Sequence, residues 1–203
     1  MVYVKWTFIA VIAALVFSFL HYTLPQHDIV RITNTEVRRI DFGDNSIFWA
    51  GSAPGTAGGV ANRDVHFIET FRPNDKPMVY RNEDTGWGWP PYFKVNTSNL
   101  QAMARDLIST KENPQWVVVT HYGWRNEYLS IYPNAVAVRP AEGPDEFIIP
   151  WFNIAVLFSL AVFAAWVWTV FARFKENRIE PLIDDPDSRA GAVLRRLFGG
   201  GGR

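Results

Sequence analysis

Phe147–Phe171 reads FIIPWFNIAVLFSLAVFAAWVWTVF and contains no charged residue. A run of this length meets the roughly 20 apolar residues that a helix needs to cross a bilayer. Pro150 stands near its start, where a missing N–H costs a helix little. Trp151 at one end and Trp166 and Trp168 toward the other fit aromatic belts at the two interfaces. Residues 147–172 are expected to form a membrane span, and Arg173, Lys175 and Arg178 fit a cytoplasmic flank behind it.

A second uncharged run, Trp6–Leu20 (WTFIAVIAALVFSFL), reaches spanning length when extended over residues 2–24. The rival reading is a cleaved signal peptide. The run is long for one, only Lys5 precedes it, and it ends in SFLHYTLPQ instead of a small-x-small cleavage site, which favours an uncleaved anchor. With the tail inside, two spans put the N-terminus inside too. Residues 25–146 then lie on the far side, which in a bacterium is the periplasm. Arg31, Arg38 and Arg39 oppose the charge rule, but long translocated segments escape it.

The 203 residues carry 20 lysines and arginines against 20 aspartates and glutamates, so no bulk charge argues for nucleic acid. There is no cysteine, which excludes disulfides, thiolate catalysis and cysteine-ligated metals.

The segment between the spans is long enough for one folded core. Ile29–Phe42 alternates apolar and polar residues and is expected to be one long or broken strand. Gly43–Asn62 reads as a glycine-rich loop. Asp64–Phe71 alternates again and stops at the turn RPNDKP. Short strands are expected at Met78–Arg81 and Tyr92–Val95. Thr97–Thr110 has helical periodicity, with Leu100, Met103, Leu107 and Ile108 on one face and Ser98 and Gln101 at capping-box spacing. Strands at Trp116–His121, Asn126–Tyr132 and Ala135–Arg139 complete the order. The fold class expected is a membrane-anchored α+β protein: a β-rich domain with one helix, between two transmembrane helices. A partly open barrel of the oligonucleotide/oligosaccharide-binding (OB) type fits this order, as does a helix packed on an antiparallel sheet. In the tail, residues 173–203, Ser188–Phe198 has the pattern of a basic amphipathic helix on the inner leaflet; the Gly199–Gly202 run equally suits a frayed end.

The densest aromatic cluster outside the spans lies in MVYRNEDTGWGWPPYFKVNTSNL, Met78–Leu100. Trp87, Trp89, Tyr92 and Phe93, spaced by glycines and prolines, must bury against something. They either cap the domain's own core, pack on the membrane surface, or form a docking surface for a partner or ligand. Metal binding has little support, since His21, His27, His66 and His121 show no ligand spacing. Glu83 or Asp84 with His121 is the one acid–base set worth naming, without a motif behind it. No nucleophile elbow, phosphate loop or dinucleotide fingerprint occurs.

The segments NRDVHFIET (Asn62–Thr70), MVYRNEDTGWGWPPYFK (Met78–Lys94), VTHYGWRNEYLSIYPNAV (Val119–Val136) and IPWFNI (Ile149–Ile154) occur in that order. Together they resemble a family of bispanning inner-membrane proteins of unknown function from alphaproteobacteria. The resemblance implies a bacterial inner-membrane location and the same layout, and implies no catalytic residues. The expectation is a non-enzymatic scaffold or accessory subunit of a membrane or envelope complex, with no cofactor. Its partners would be the bilayer and a membrane protein, and Trp87, Trp89, Tyr92, Trp124 and Arg125 would make the contact. The alternative is a periplasmic module binding a lipid, sugar or cell-wall fragment.

Overall fold

The computed structural model describes residues 2–41, 62–88 and 92–174. By internal contacts the chain falls into two units, Met1–Pro150 and Trp151–Arg203. The first begins with helix α1 (Val2–Thr23) and continues through strands β1 (Gln26–Asp41), β2 (Asn62–Phe71) and β3 (Pro77–Asn82). Helix α2 (Thr97–Asp106), β4 (Trp116–Tyr122) and β5 (Asn134–Pro140) follow. The second unit holds α3 (Trp151–Phe174), in which no residue is buried. Helices α1 and α3 are both long and apolar enough to cross a membrane. The architecture is thus mixed α and β, a β-rich sheet with two terminal apolar helices.

The sheet closes on itself in the order β1-β2-β3-β5-β4, with β1 pairing antiparallel to both β2 and β4. One strand serves both neighbours because its register shifts between Ile32 and Asn34, where a bulge bends it. The first half, Gln26–Arg31, pairs with β4, and the second half, Arg31–Asp41, pairs with β2. The parallel β3–β5 seam is a single pair, Arg81 with Asn134. Pleating sends alternate residues inward, so Val30 and Ile32, Met78 and Tyr80, and Val117 and Val119 meet in one core. Leu100, Ala104 and Leu107 of α2 pack into the same core.

Several local expectations are corrected. Tyr92–Val95 is not a strand. Among the described residues, the backbone there is satisfied by loop closure, with Thr85 and Gly86 N–H groups donating to the Lys94 carbonyl at 3.1 and 3.0 Å. Asn126–Tyr132 is not a strand either: Asn126 and Ile131 bridge across a tight turn in which Ser130 takes φ of 50°. Helix α2 ends at Asp106 instead of Thr110, and Met103 and Ile108 are exposed. The capping box does not form, because Gln101 Oε1 accepts from Asn82 Nδ2 at 2.8 Å. Asp84 takes over the helix start and accepts from the Thr97 N–H at 3.0 Å. Helix α3 begins at Trp151 and not at Phe147, since proline disfavours a helical conformation in the residue before it. The expected loop Gly43–Asn62 up to residue 61, and the expected amphipathic helix Ser188–Phe198, lie outside the described residues.

Candidate functional site

The aromatic residues gather where α1 meets the barrel. Only Leu24 and Pro25 separate α1 from β1, so the last turn of α1 is pressed against the barrel's end. The Gly123 N–H donates to the Tyr22 carbonyl at 3.1 Å. Gly123 has φ of +87°, so the backbone shape calls for glycine, while a Cβ there would make an ordinary contact with the Tyr22 ring at 3.4 Å. Tyr22 is buried and meets Trp124 edge-on, with centroids 5.3 Å apart. Trp124 Nε1 donates to His21 Nδ1 at 2.9 Å, which ties the β4–β5 loop to α1 a second time.

Tyr92 lies behind Tyr22, with 6.5 Å between their centroids, and stacks on Tyr122 at 4.6 Å and 3°. It is only 4% exposed and its hydroxyl accepts from Arg81 Nη2 at 3.0 Å, so it is an internal ring of the junction. Burial raises the pKa of that phenol. Trp87 is placed differently: 95% exposed, with Phe93 beside it at 4.7 Å. Trp89 lies outside the described residues. Arg125 stacks over Tyr132 at 4.5 Å and donates to the Asn126 and Ile131 carbonyls. The expected five therefore separate. Tyr92 is interior, Trp124 and Arg125 share the β4–β5 loop, and Trp87 presents a free ring face.

A polar layer behind the rings was not foreseen. Arg81 pairs with Glu83 at 3.2 Å, and both side chains are nearly fully buried. Asn134 Oδ1 accepts from the Glu83 N–H and its Nδ2 donates to the Glu83 carbonyl, which holds the β3–β5 seam where the ladder is thinnest. Lys94 is 3% exposed. Its ammonium donates to Asn82 Oδ1 and to Thr97 Oγ1 and lies 3.8 Å from Asp84. Burial lowers its pKa to about 8, against the pull of Asp84 and Glu83. Beside this layer is a cavity of about 190 Å³ lined by Asp64, Val65, His66, Asn82, Glu83, Asp84 and Thr97. The only sequence signal for this layer was a run of polar residues directly after an apolar strand.

The possible acid–base set is not assembled from its expected members. Glu83 is held by Arg81 and Asp84 by Thr97, while His121 stands 3.2 Å from Asp28. Asp28 Oδ2 also accepts from the Tyr80 hydroxyl at 2.6 Å and from Arg72 at 2.8 Å. Burial alone would raise the Asp28 pKa, but these hydrogen bonds outweigh it and hold the carboxyl well below the usual range. The same burial and the adjacent carboxylate push the Tyr80 phenol well up. Among the described residues, no group of three or more His, Asp or Glu is placed to hold a metal ion.

Residues 1–175 match the family described as a protein of unknown function, DUF1523. An uncharacterized protein of Haemophilus influenzae is 37% identical over 158 residues, which cover 74% of this chain and 86% of that protein. No solved structure matches. With the family match running from α1 through α3, the chain belongs to the DUF1523 family of unknown function.

Proposed function

We propose that this chain is a non-enzymatic, two-span protein of the bacterial inner membrane whose barrel, in the periplasm, serves as an accessory or interaction subunit of a membrane complex. The observation that carries the reading is the seat of the barrel on α1. A connection of two residues, the Gly123–Tyr22 hydrogen bond and the Trp124–His21 bond hold the domain at the helix end. A domain fixed in this way supports a neighbour at the same membrane face, whereas a tethered domain would search at a distance. The apolar α1 and α3 and the basic residues after α3 support the two-span layout with both termini in the cytoplasm.

The closed strand order, with α2 between β3 and β4, supports an OB-type barrel. Such barrels bind through strands 2 and 3 and the β1–β2 and β4–β5 loops. Here the β4–β5 loop carries Arg125, a fully exposed Tyr128 and Leu129, an aromatic and arginine set suited to a protein contact. A mild-detergent pull-down of the intact chain from its native membrane tests this, with a Tyr128→Ser/Leu129→Ser variant alongside. The expected result is a stoichiometric membrane partner with the native chain and its loss with the variant. A lone protein in both lanes overturns the reading. That result would favour the ligand-binding alternative, for which the cavity beside Asp64, His66 and Asp84 is the supporting observation.

A further inference from the structure

We infer that the bilayer interface itself covers the exposed aromatic rim at the α1 end of the barrel, with Trp87 and Phe93 lying in the headgroup layer. The inference rests on the membrane-anchored reading above, and names the partner of this one face.

The depth follows from α1. Tyr3 and Tyr22 are nearly one helix length apart, a rise of about 28 Å at 1.5 Å per residue, against a hydrocarbon core of about 30 Å. Tyr22, and with it Trp124 on its edge, therefore stands at the level of the headgroups, where Trp and Tyr rings collect. From Tyr22 the contacts run to Tyr92, and the next residue is Phe93, whose ring meets Trp87. The loop bearing Trp87 is pinned at this level by the Thr85 and Gly86 N–H bonds to the Lys94 carbonyl.

The strand directions agree. The C-terminal ends of β3 and β4 and the N-terminal ends of β1 and β5 meet at α1: Gln26 pairs with His121, Tyr122 with Asn134, and Asn134 with Arg81. The Asp75–Lys111 ion pair marks the other end. Arg31 pairs with Trp116 there, five strand residues from Gln26 and so about 17 Å along β1. A linker of two residues leaves no gap in which the α1 end could stand off from the membrane. A bare tryptophan at 95% exposure beside a half-exposed Phe93 is costly in water and suited to an interface.

The absence of cysteine permits single-site labelling. The full-length chain carrying Trp87→Cys, Phe93→Cys, Ile9→Cys or Lys111→Cys is labelled with an environment-sensitive fluorophore. It is then reconstituted into phosphatidylcholine/phosphatidylglycerol vesicles containing lipids spin-labelled at the headgroup or deep in the acyl chain. Labels at 87 and 93 should lose about half their emission or more to the headgroup quencher and less to the deep one. The label at 9 should respond to the deep quencher, and the label at 111 to neither. If 87 and 93 behave like 111 while 9 is quenched, the anchor stands and the inference falls. If 9 is unquenched as well, the anchored reading fails and takes the inference with it. Blue-shifted but unquenched emission at 87 and 93 would mean that protein covers the rim, and would also overturn it.

Discussion

Replacing Asp28 by Asn should destabilise the barrel by about 2–4 kcal/mol at pH 7. The magnitude comes from the three donors on one carboxylate oxygen: Tyr80 at 2.6 Å, Arg72 at 2.8 Å and His121 at 3.2 Å. A hydrogen bond to a charged group contributes about 1.5–3 kcal/mol net, and the Tyr80 arm, which is buried, counts in full. The Arg72 side chain is 39% exposed, so solvent screening reduces its arm to about 1 kcal/mol or less. For a domain of this size the loss corresponds to roughly 8–16 °C in Tm. Tyr80→Phe removes the hydroxyl alone and should cost about 1.5–3 kcal/mol, and the double variant should lose at least about 1 kcal/mol less than the sum of the two. The assay is thermal unfolding of the full chain in detergent followed by near-ultraviolet circular dichroism. The pH dependence has a definite sign. Because the folded carboxyl titrates below its unfolded value of about 3.9, the stabilisation is present above that pH and disappears as pH falls toward the folded value. The native chain should therefore lose stability below about pH 4 more steeply than Asp28→Asn. Additive single variants, or an Asp28→Asn midpoint within about 1 °C of native, would refute the reasoning.

Three further expectations concern other parts of the barrel. Leu100→Ala should cost about 2–5 kcal/mol in the same melting assay and Met103→Ala less than about 0.5, because Leu100 is in the core while Met103 faces solvent; similar losses would restore the expected helix face. Lys94 should make stability rise with pH from about 8 toward its unfolded value near 10.4, since the unfolded chain holds the proton longer, and Lys94→Gln should flatten that slope in denaturant titrations between about pH 8 and 9.5. Gly123→Ala forces a side chain into positive φ at about 1–2 kcal/mol at the residue that bonds Tyr22, so hydrogen exchange should quicken at the end of α1 before it does at β2, and equal protection at both would count against the junction as described.

The strand and helix positions were legible in the sequence wherever alternation coincided with burial on one side, as at Val30 and Ile32 or Val117 and Val119. It misled where alternating residues had no neighbouring strand to pair with. Tyr92–Val95 belongs to a loop whose carbonyls are taken locally, and Asn126–Tyr132 folds into its own turn. The capping box failed for a tertiary reason, because Asn82 reaches Gln101 first. The aromatic stretch was visible as a cluster, but its division into an interior Tyr92 and an exposed Trp87 depends on Tyr22 and Tyr122, which are remote in sequence. Buried charge was the least legible feature. Nothing in the local pattern separates the enclosed Arg81, Glu83 and Lys94 from the solvated Asp75 and Lys111.

The short passage from α1 to β1 makes the helix and barrel one lever. When a bilayer thins or thickens, a spanning helix answers by tilting. If α1 spans the bilayer as proposed, only two residues stand between its tilt and the barrel. A tilt of about 10° would carry the Asp75–Lys111 end, roughly 17 Å along the strands, sideways by about 3 Å. On the two-span reading proposed above, lipid thickness would thereby set the position of the barrel's far end.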